Sequence, residues 1–164
     1  MKITKIETVH VSHLLMLRVH TDAGIIGNGE TFYAPTAVAA LLHDWMSERL
    51  LGANPLDIEK HWRFFYQRFM NFGGRGAEMR AISALDLALW DILAQSCNQP
   101  VWQLLGGCTQ SILPTYNSAG GTGYGVPVTG PNDRSSTARW KTTGPASTAP
   151  RNTLKNYSKK AITP

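Results

Sequence analysis

The sequence predicts an α+β fold: a three-stranded antiparallel meander, then a bundle of about three helices, then a disordered C-terminal tail. Three observations carry this. Apolar residues alternate over the first thirty or so positions, recur at helical spacing from Pro35 to Leu105, and thin out sharply after residue 118. Residues 1–118 therefore read as one folded domain and 119–164 as a separate basic tail.

"ITKIETVHV" has the alternation of a half-buried strand, and "LLMLRVHT" and "IIGNGE" read as two more strands joined at "DAG", where Gly24 supplies the positive φ of a tight turn. From Pro35 the period changes. Val38, Leu41, Leu42, Trp45, Met46 and Leu50 fall on one helical stripe, with Thr36 placed to cap the start and Gly52 the end. A second helix follows "NPLD", with Pro55 near its first turn, buries Ile58, Trp62, Phe65 and Phe69, and stops at "NFGGRG". The third, "AEMRAISALDLALWDILAQS", is the most apolar segment. Its Ala81, Ala84 and Ala88 permit close approach by a neighbour, so it is expected to be central. "NQPVWQLLGG" gives a turn at Pro100, a short helical turn and a glycine stop.

Charge does not point to a nucleic-acid partner. Of the 16 Lys/Arg and 11 Asp/Glu, residues 1–118 hold 9 and 10 while residues 119–164 hold 7 and 1, so the net charge of +5 belongs to the tail. The tail's basic residues follow no helical stripe, and only Trp140 and Tyr157 lie among them as stacking aromatics. Cys97 and Cys108 stand outside any C-x-x-C or zinc spacing, the opening "MKITKIETVH" lacks the apolar core of a signal peptide, and no run approaches the ~20 apolar residues of a membrane span. A cytoplasmic setting with no membrane partner is the expectation.

The string "AISALDLALWDILAQSCNQPVWQLLGG" resembles the signature of the mandelate racemase and muconate lactonizing enzyme group of the enolase superfamily. Ala81, Ser83, Ala84, Asp86, Ala88, Trp90, Asp91, Ala94, Gln95, Pro100, Val101, Leu104, Leu105 and Gly106 all stand at matching positions. "MKITKIET", "TDAGIIGNGE" and "LLGANPLDIEKHWRFFYQRF" extend the likeness, the last most similar to galactonate-type sugar-acid dehydratases. The resemblance implies that residues 1–118 are the family's N-terminal capping domain. It also implies that the chemistry belongs to a barrel domain whose carboxylates hold Mg²⁺ and whose Lys or His bases take the proton α to the substrate carboxylate. No such machinery, no catalytic residue and no metal ligand is found in this chain, so the chain alone is expected to be an inactive, truncated cap. An acid-sugar substrate is expected only for the intact parent enzyme. Two alternatives stand beside this: a non-catalytic binding or oligomerisation module, or a cap whose parent is a racemase or cycloisomerase. Because the family's oligomers use this domain, self-association is a further expectation.

"LPTYNSAGG" resembles the entry into the first barrel strand, after which the likeness stops. When Arg139 to Pro164 are back-translated and read from the third nucleotide of each codon, permissible codons give a segment ending "EYAEELLKEGYHA". That product has apolar residues at helical spacing and is similar to the first barrel helix of galactonate-type dehydratases. The tail is accordingly expected to be out of frame, with the slip between Gly121 and Ala138.

Candidate contacts come from the resemblance, in which loops of the capping domain close over the substrate. The matching segments are "VSHLL" and "TFYAPT", giving His13 and Tyr33 as substrate-binding candidates, with Arg75 a third that offers a fork for a carboxylate. His10 and His13 are expected on opposite faces of a strand, which argues against a shared metal. Asp86 and Asp91, five positions apart on a helix, diverge, and each is expected to bond neighbouring backbone or the barrel. "NFGGRG" lacks the Gly-Lys-Ser/Thr of a phosphate loop and reads as a connection between helices.

Overall fold

The computed structural model describes residues 1–11 and 13–114, together with the backbone of 159–162. The alternating segments form β1 (Ile3–Val11), β2 (Leu14–Thr21) and β3 (Ile26–Phe32), paired antiparallel in order. Leu15, Leu17 and Val19 point to one face and are fully buried, while Arg18 is exposed on the other. Between β2 and β3, Gly24 takes the expected positive φ of 79°. His13 lies in the turn between β1 and β2, not on a strand face as its spacing from His10 suggested, because β1 ends at Val11.

A fourth strand, β4 (Lys159–Ile162), pairs antiparallel with β1, giving the order β3-β2-β1-β4. It comes from the segment read as a disordered tail. A strand edge offers unpaired N–H and C=O groups to any extended backbone, and such pairing needs no side-chain pattern that a sequence could display. The rest of 119–164 lies outside the described residues.

The helical stripe after Pro35 is α1 (Pro35–Ala40), a π-helical stretch over Leu41–Met46, and α2 (Ser47–Leu50). Thr36 does not cap it; the N-cap is Ala34, in the left-handed region, with Pro35 opening the helix. The π stretch shifts the period. Leu42 and Met46 stay fully buried, but Trp45 turns outward and is 50% exposed. Gly52, at φ 79°, follows the end of the helix as expected. Next come α3 (Ile58–Arg68), a 3₁₀ turn at Met70–Phe72 ended by Gly73 at φ 114°, α4 (Ala77–Cys97) and α5 (Val101–Leu104).

The core joins the inward faces of β1 and β2 to Val38, Leu42, Met46, Leu50, Phe65 and Phe69 and to the buried side of α4. α4 is the central helix, and its closest neighbour is β3. A Cβ on Gly27 would stand 2.1 Å from the Ala88 carbonyl oxygen, and one on Gly29 2.0 Å from that of Ala84. The small residues of "IGNG" and the alanines of α4 are thus two halves of one close approach.

Candidate functional site

The free edge of β3 explains much of the polar chemistry of α4. An uncovered edge exposes backbone donors and acceptors, and α4 meets them with three side chains. Asp91 Oδ2 accepts the Asn28 backbone N–H at 2.8 Å and the Asn28 side-chain amide at 3.1 Å. Gln95 Nε2 donates to the Ile26 carbonyl at 2.8 Å, and Arg80 Nη1 donates to the Phe32 carbonyl at 2.6 Å. Asp91 is therefore a structural residue bonded to neighbouring backbone, and Asp86 is not its partner. Burial, then the nearby Glu59 carboxylate, raises the Asp86 carboxyl above the ordinary aspartate range.

Where β3 leaves the sheet, the chain turns sharply. Tyr33 and Ala34 hold φ values of 68° and 47°, both in the left-handed region that non-glycine residues seldom occupy. This loop meets the β1–β2 turn: the Tyr33 backbone N–H donates to the His13 carbonyl at 3.1 Å. The His13 and Phe32 rings meet edge-to-face at 6.3 Å, and Phe32 and Tyr33 at 4.1 Å. Arg80 completes the group, its guanidinium 5.2 Å from the centre of the Tyr33 ring.

The structure thus brings His13 and Tyr33 together, with Tyr33 half exposed. Arg75 is exposed on the loop between α3 and α4. That loop is organised by Glu78, whose Oε1 accepts the Gly76 N–H at 2.9 Å. Hydrogen bonding from the Gly76 backbone first, then from its own backbone and that of Arg75 and Gly74, holds the Glu78 carboxyl below its ordinary value against an opposing burial effect. The guanidinium at the His13–Tyr33 cluster belongs to Arg80, which sequence reasoning passed over. A signal was present: Arg80 is the only basic residue in the 21 residues of α4. Together the cluster presents an imidazole, a phenol and a guanidinium fork, suited to an anionic or hydroxylated ligand.

Among the described residues, no group of three or more His, Cys, Asp or Glu is placed to hold a metal ion. Mg²⁺ requires several oxygen ligands around one point, and four of the carboxylates here are engaged elsewhere. Glu7 faces Lys5 at 3.3 Å, His20 at 3.3 Å and Arg18 at 3.9 Å, Asp57 pairs with Lys60, Glu59 with Arg63, and Asp91 with Asn28. The described residues do not fit a magnesium site, so no step through the metal is derived from them. No helix among them is long and apolar enough to cross a membrane.

Residues 2–106 match the family model described as mandelate racemase / muconate lactonizing enzyme, N-terminal domain. Among curated relatives, the chain is 38% identical over 124 residues to a D-galactonate dehydratase of Klebsiella pneumoniae (strain 342), covering 74% of this chain and 32% of the relative. It is 37% identical, over the same shares, to a D-galactonate dehydratase of Cronobacter sakazakii (strain ATCC BAA-894). The chain therefore spans about a third of the length of these relatives. Among solved structures, an enolase of the mandelate racemase subgroup from Agrobacterium tumefaciens is 43% identical, with a TM-score of 0.59 over 65% of this chain and 30% of that one. A mandelate racemase/muconate lactonizing protein from Paracoccus denitrificans PD1222, complexed with magnesium, is 28% identical, with a TM-score of 0.64 over 69% of this chain and 32% of that one. A meander whose glycines admit an alanine-lined helix, with Asp91 and Gln95 of that helix sealing the sheet edge, agrees with this match, and the chain belongs to the mandelate racemase / muconate lactonizing enzyme family of the enolase superfamily, whose N-terminal capping domain it carries.

Proposed function

We propose that this chain is the capping portion of a Mg²⁺-dependent sugar-acid dehydratase. In the complete enzyme, residues beyond the described ones remove the proton α to the carboxylate and expel the β-hydroxyl. The cap contributes the loops at His13 and Tyr33, with Arg80 behind them. The observation carrying this reading is the convergence of those loops, which come from distant parts of the sequence and present hydrogen-bond donors together. An anionic, polyhydroxylated substrate fits such a donor set, and the D-galactonate dehydratase relatives support an aldonic acid as its class.

On this reading the chain by itself does not convert aldonates. Purified protein incubated with a panel of aldonic acids and Mg²⁺ is expected to form no 2-keto-3-deoxy product, and turnover would overturn the assignment. Sequencing the source DNA across codons 115–164 and beyond, translated in three frames, is expected to reveal an alternative frame that continues into a barrel. In that restored enzyme, Tyr33→Phe is expected to raise KM about tenfold with a smaller effect on kcat, since it removes a binding contact and leaves the proton-transfer machinery intact. An unchanged KM would remove Tyr33 from the site.

A further inference from the structure

Asn28 is the only one of the chain's eight asparagines that precedes a glycine. In that dipeptide no Cβ shields the glycine nitrogen, so the backbone attacks the neighbouring side-chain amide more readily than at the other seven. The fold sets this pair on the seam between β3 and α4. Asn28 is exposed at the edge of β3. Its backbone N–H donates to Asp91 Oδ2 at 2.8 Å, and its amide Nδ2 donates to the same oxygen at 3.1 Å and to the Ile26 carbonyl at 3.4 Å. Gly29 is buried, stands opposite Leu17 of β2, and has no room for a Cβ beneath the Ala84 carbonyl of α4. Closed, the seam suppresses the attack. The β2–β3 ladder fixes the Gly29 backbone, and the bonds to Asp91 and Ile26 fix the Asn28 amide, so ring closure requires local opening.

We infer that Asn28–Gly29 is a deamidation site gated by opening of the β3–α4 seam, and that reaction there prevents the seam from closing again. In the open state the Gly29 nitrogen loses its proton and bonds to Asn28 Cγ. The Cγ–Nδ2 bond breaks, and the amide leaves with that proton as ammonia. Water then opens the resulting succinimide at one carbonyl or the other, leaving aspartate or isoaspartate at position 28. No oxidant or reductant takes part. Neither product fits the seam. Aspartate replaces the Nδ2 donor, 3.1 Å from Asp91 Oδ2, by a second carboxylate oxygen, so a hydrogen bond becomes a contact between like charges. Isoaspartate adds a methylene to the main chain ahead of Gly29, which then loses its register with Leu17 and its place beneath the Ala84 carbonyl. The conversion is therefore one-way, and the Asn28 amide makes each long-lived opening permanent.

The test incubates the full chain in mildly alkaline buffer below its unfolding temperature and follows the peptide holding Asn28 by mass spectrometry, with aspartate and isoaspartate separated by chromatography. Conversion is expected to be slow in the folded chain and fast in the chain unfolded by urea. Asp91→Ala, which removes the acceptor of both Asn28 bonds, is expected to raise the rate in the folded chain at least about tenfold. Equal rates in the folded and unfolded chains overturn the gate, and so does a rate that Asp91→Ala leaves unchanged. The closing step is tested by urea unfolding of Asn28→Asp, which carries the aspartate product from the start. Its unfolding equilibrium constant is expected to rise at least about tenfold. Asp91→Asn in the same chain is expected to recover part of that loss, because removing one of the two facing charges ends the repulsion. An Asn28→Asp chain as stable as wild type overturns the claim that the product keeps the seam open. Failure of Asp91→Asn to rescue it overturns the facing-charge mechanism.

Discussion

Tyr33 and Ala34 hold a conformation that costs an L-residue about 1–2 kcal/mol each. What holds them is visible: the Tyr33 N–H bond to His13, the Phe32 carbonyl bond to Arg80, and the guanidinium over the Tyr33 ring. Ala34→Gly relieves the left-handed penalty but loosens the unfolded chain, so a net gain of up to about 1 kcal/mol is expected in urea unfolding. Arg80→Ala should act in the opposite direction, by about 1–2 kcal/mol for a lost charged hydrogen bond at a partly exposed site, and Arg80→Lys should recover only part of it because the planar fork is missing. If Arg80→Ala unfolded at the wild-type midpoint, Arg80 would not be holding this loop. No periodicity in the sequence announces the clamp. Backbone left-handedness at Tyr-Ala arises from tertiary contacts, which is why His13 and Tyr33 were legible only through resemblance and Arg80 was not legible at all.

At the scale of elements, the decisive contact is α4 against β3. Gly29→Ala would place a methyl about 2.0 Å from the Ala84 carbonyl oxygen, a backbone atom that moves only with the helix. Destabilisation of about 3 kcal/mol or more is expected. Gly24→Ala, with open space around its Cβ and φ 79°, should cost only about 1 kcal/mol. Comparable losses for the two would show that the helix does not approach the strand this closely. α4 also carries two carboxylates with opposite pH signatures. The folded-state pKa of Glu78 is lowered, so its contribution is fully present above its unfolded value near 4.5 and is lost as pH falls through the lower folded value. The folded-state pKa of Asp86 is raised from 3.8, so its contribution is present at low pH and is lost as pH rises through the folded value. Asp86→Asn should therefore stabilise the protein at pH 7 but not below about pH 3.8, and Glu78→Gln should destabilise it at pH 7 with the difference fading in acid. Unfolding curves for both variants across that range decide the signs. The helix itself was plain from its apolar period, and its alanines announced a close neighbour. The neighbour's identity and the edge-capping roles of Asp91 and Gln95 needed the fold, because pairing between distant segments leaves no local period.

For the whole molecule, the question is what the fold requires. Among the described residues the hydrophobic core numbers twenty, from Ile3 to Ile92, all within the segment whose composition reads as folded. This is the reason the domain was legible: strand alternation and helical stripes are records of burial, and the segment from Ile3 to Ile92 carries both. The π stretch and β4 were not legible for the converse reason, since one moves a single aromatic out of register and the other pairs its backbone with a strand far away in sequence. It follows that a chain ending at residue 118 should fold. It loses the four residue pairs between β1 and β4, at the open edge of the sheet, and keeps all twenty of those core residues. A shift of no more than about 2 kcal/mol is expected, because backbone hydrogen bonds exchanged with water contribute only about 1 kcal/mol each and the residues of β4 no longer have to be ordered. Far-UV circular dichroism during thermal unfolding is the measurement. A single cooperative transition close to that of the full chain supports a self-sufficient cap. A broad transition with native-like helix signal and exposed apolar surface would show instead that packing in this domain depends on residues after 118, and that its core alone does not specify one structure.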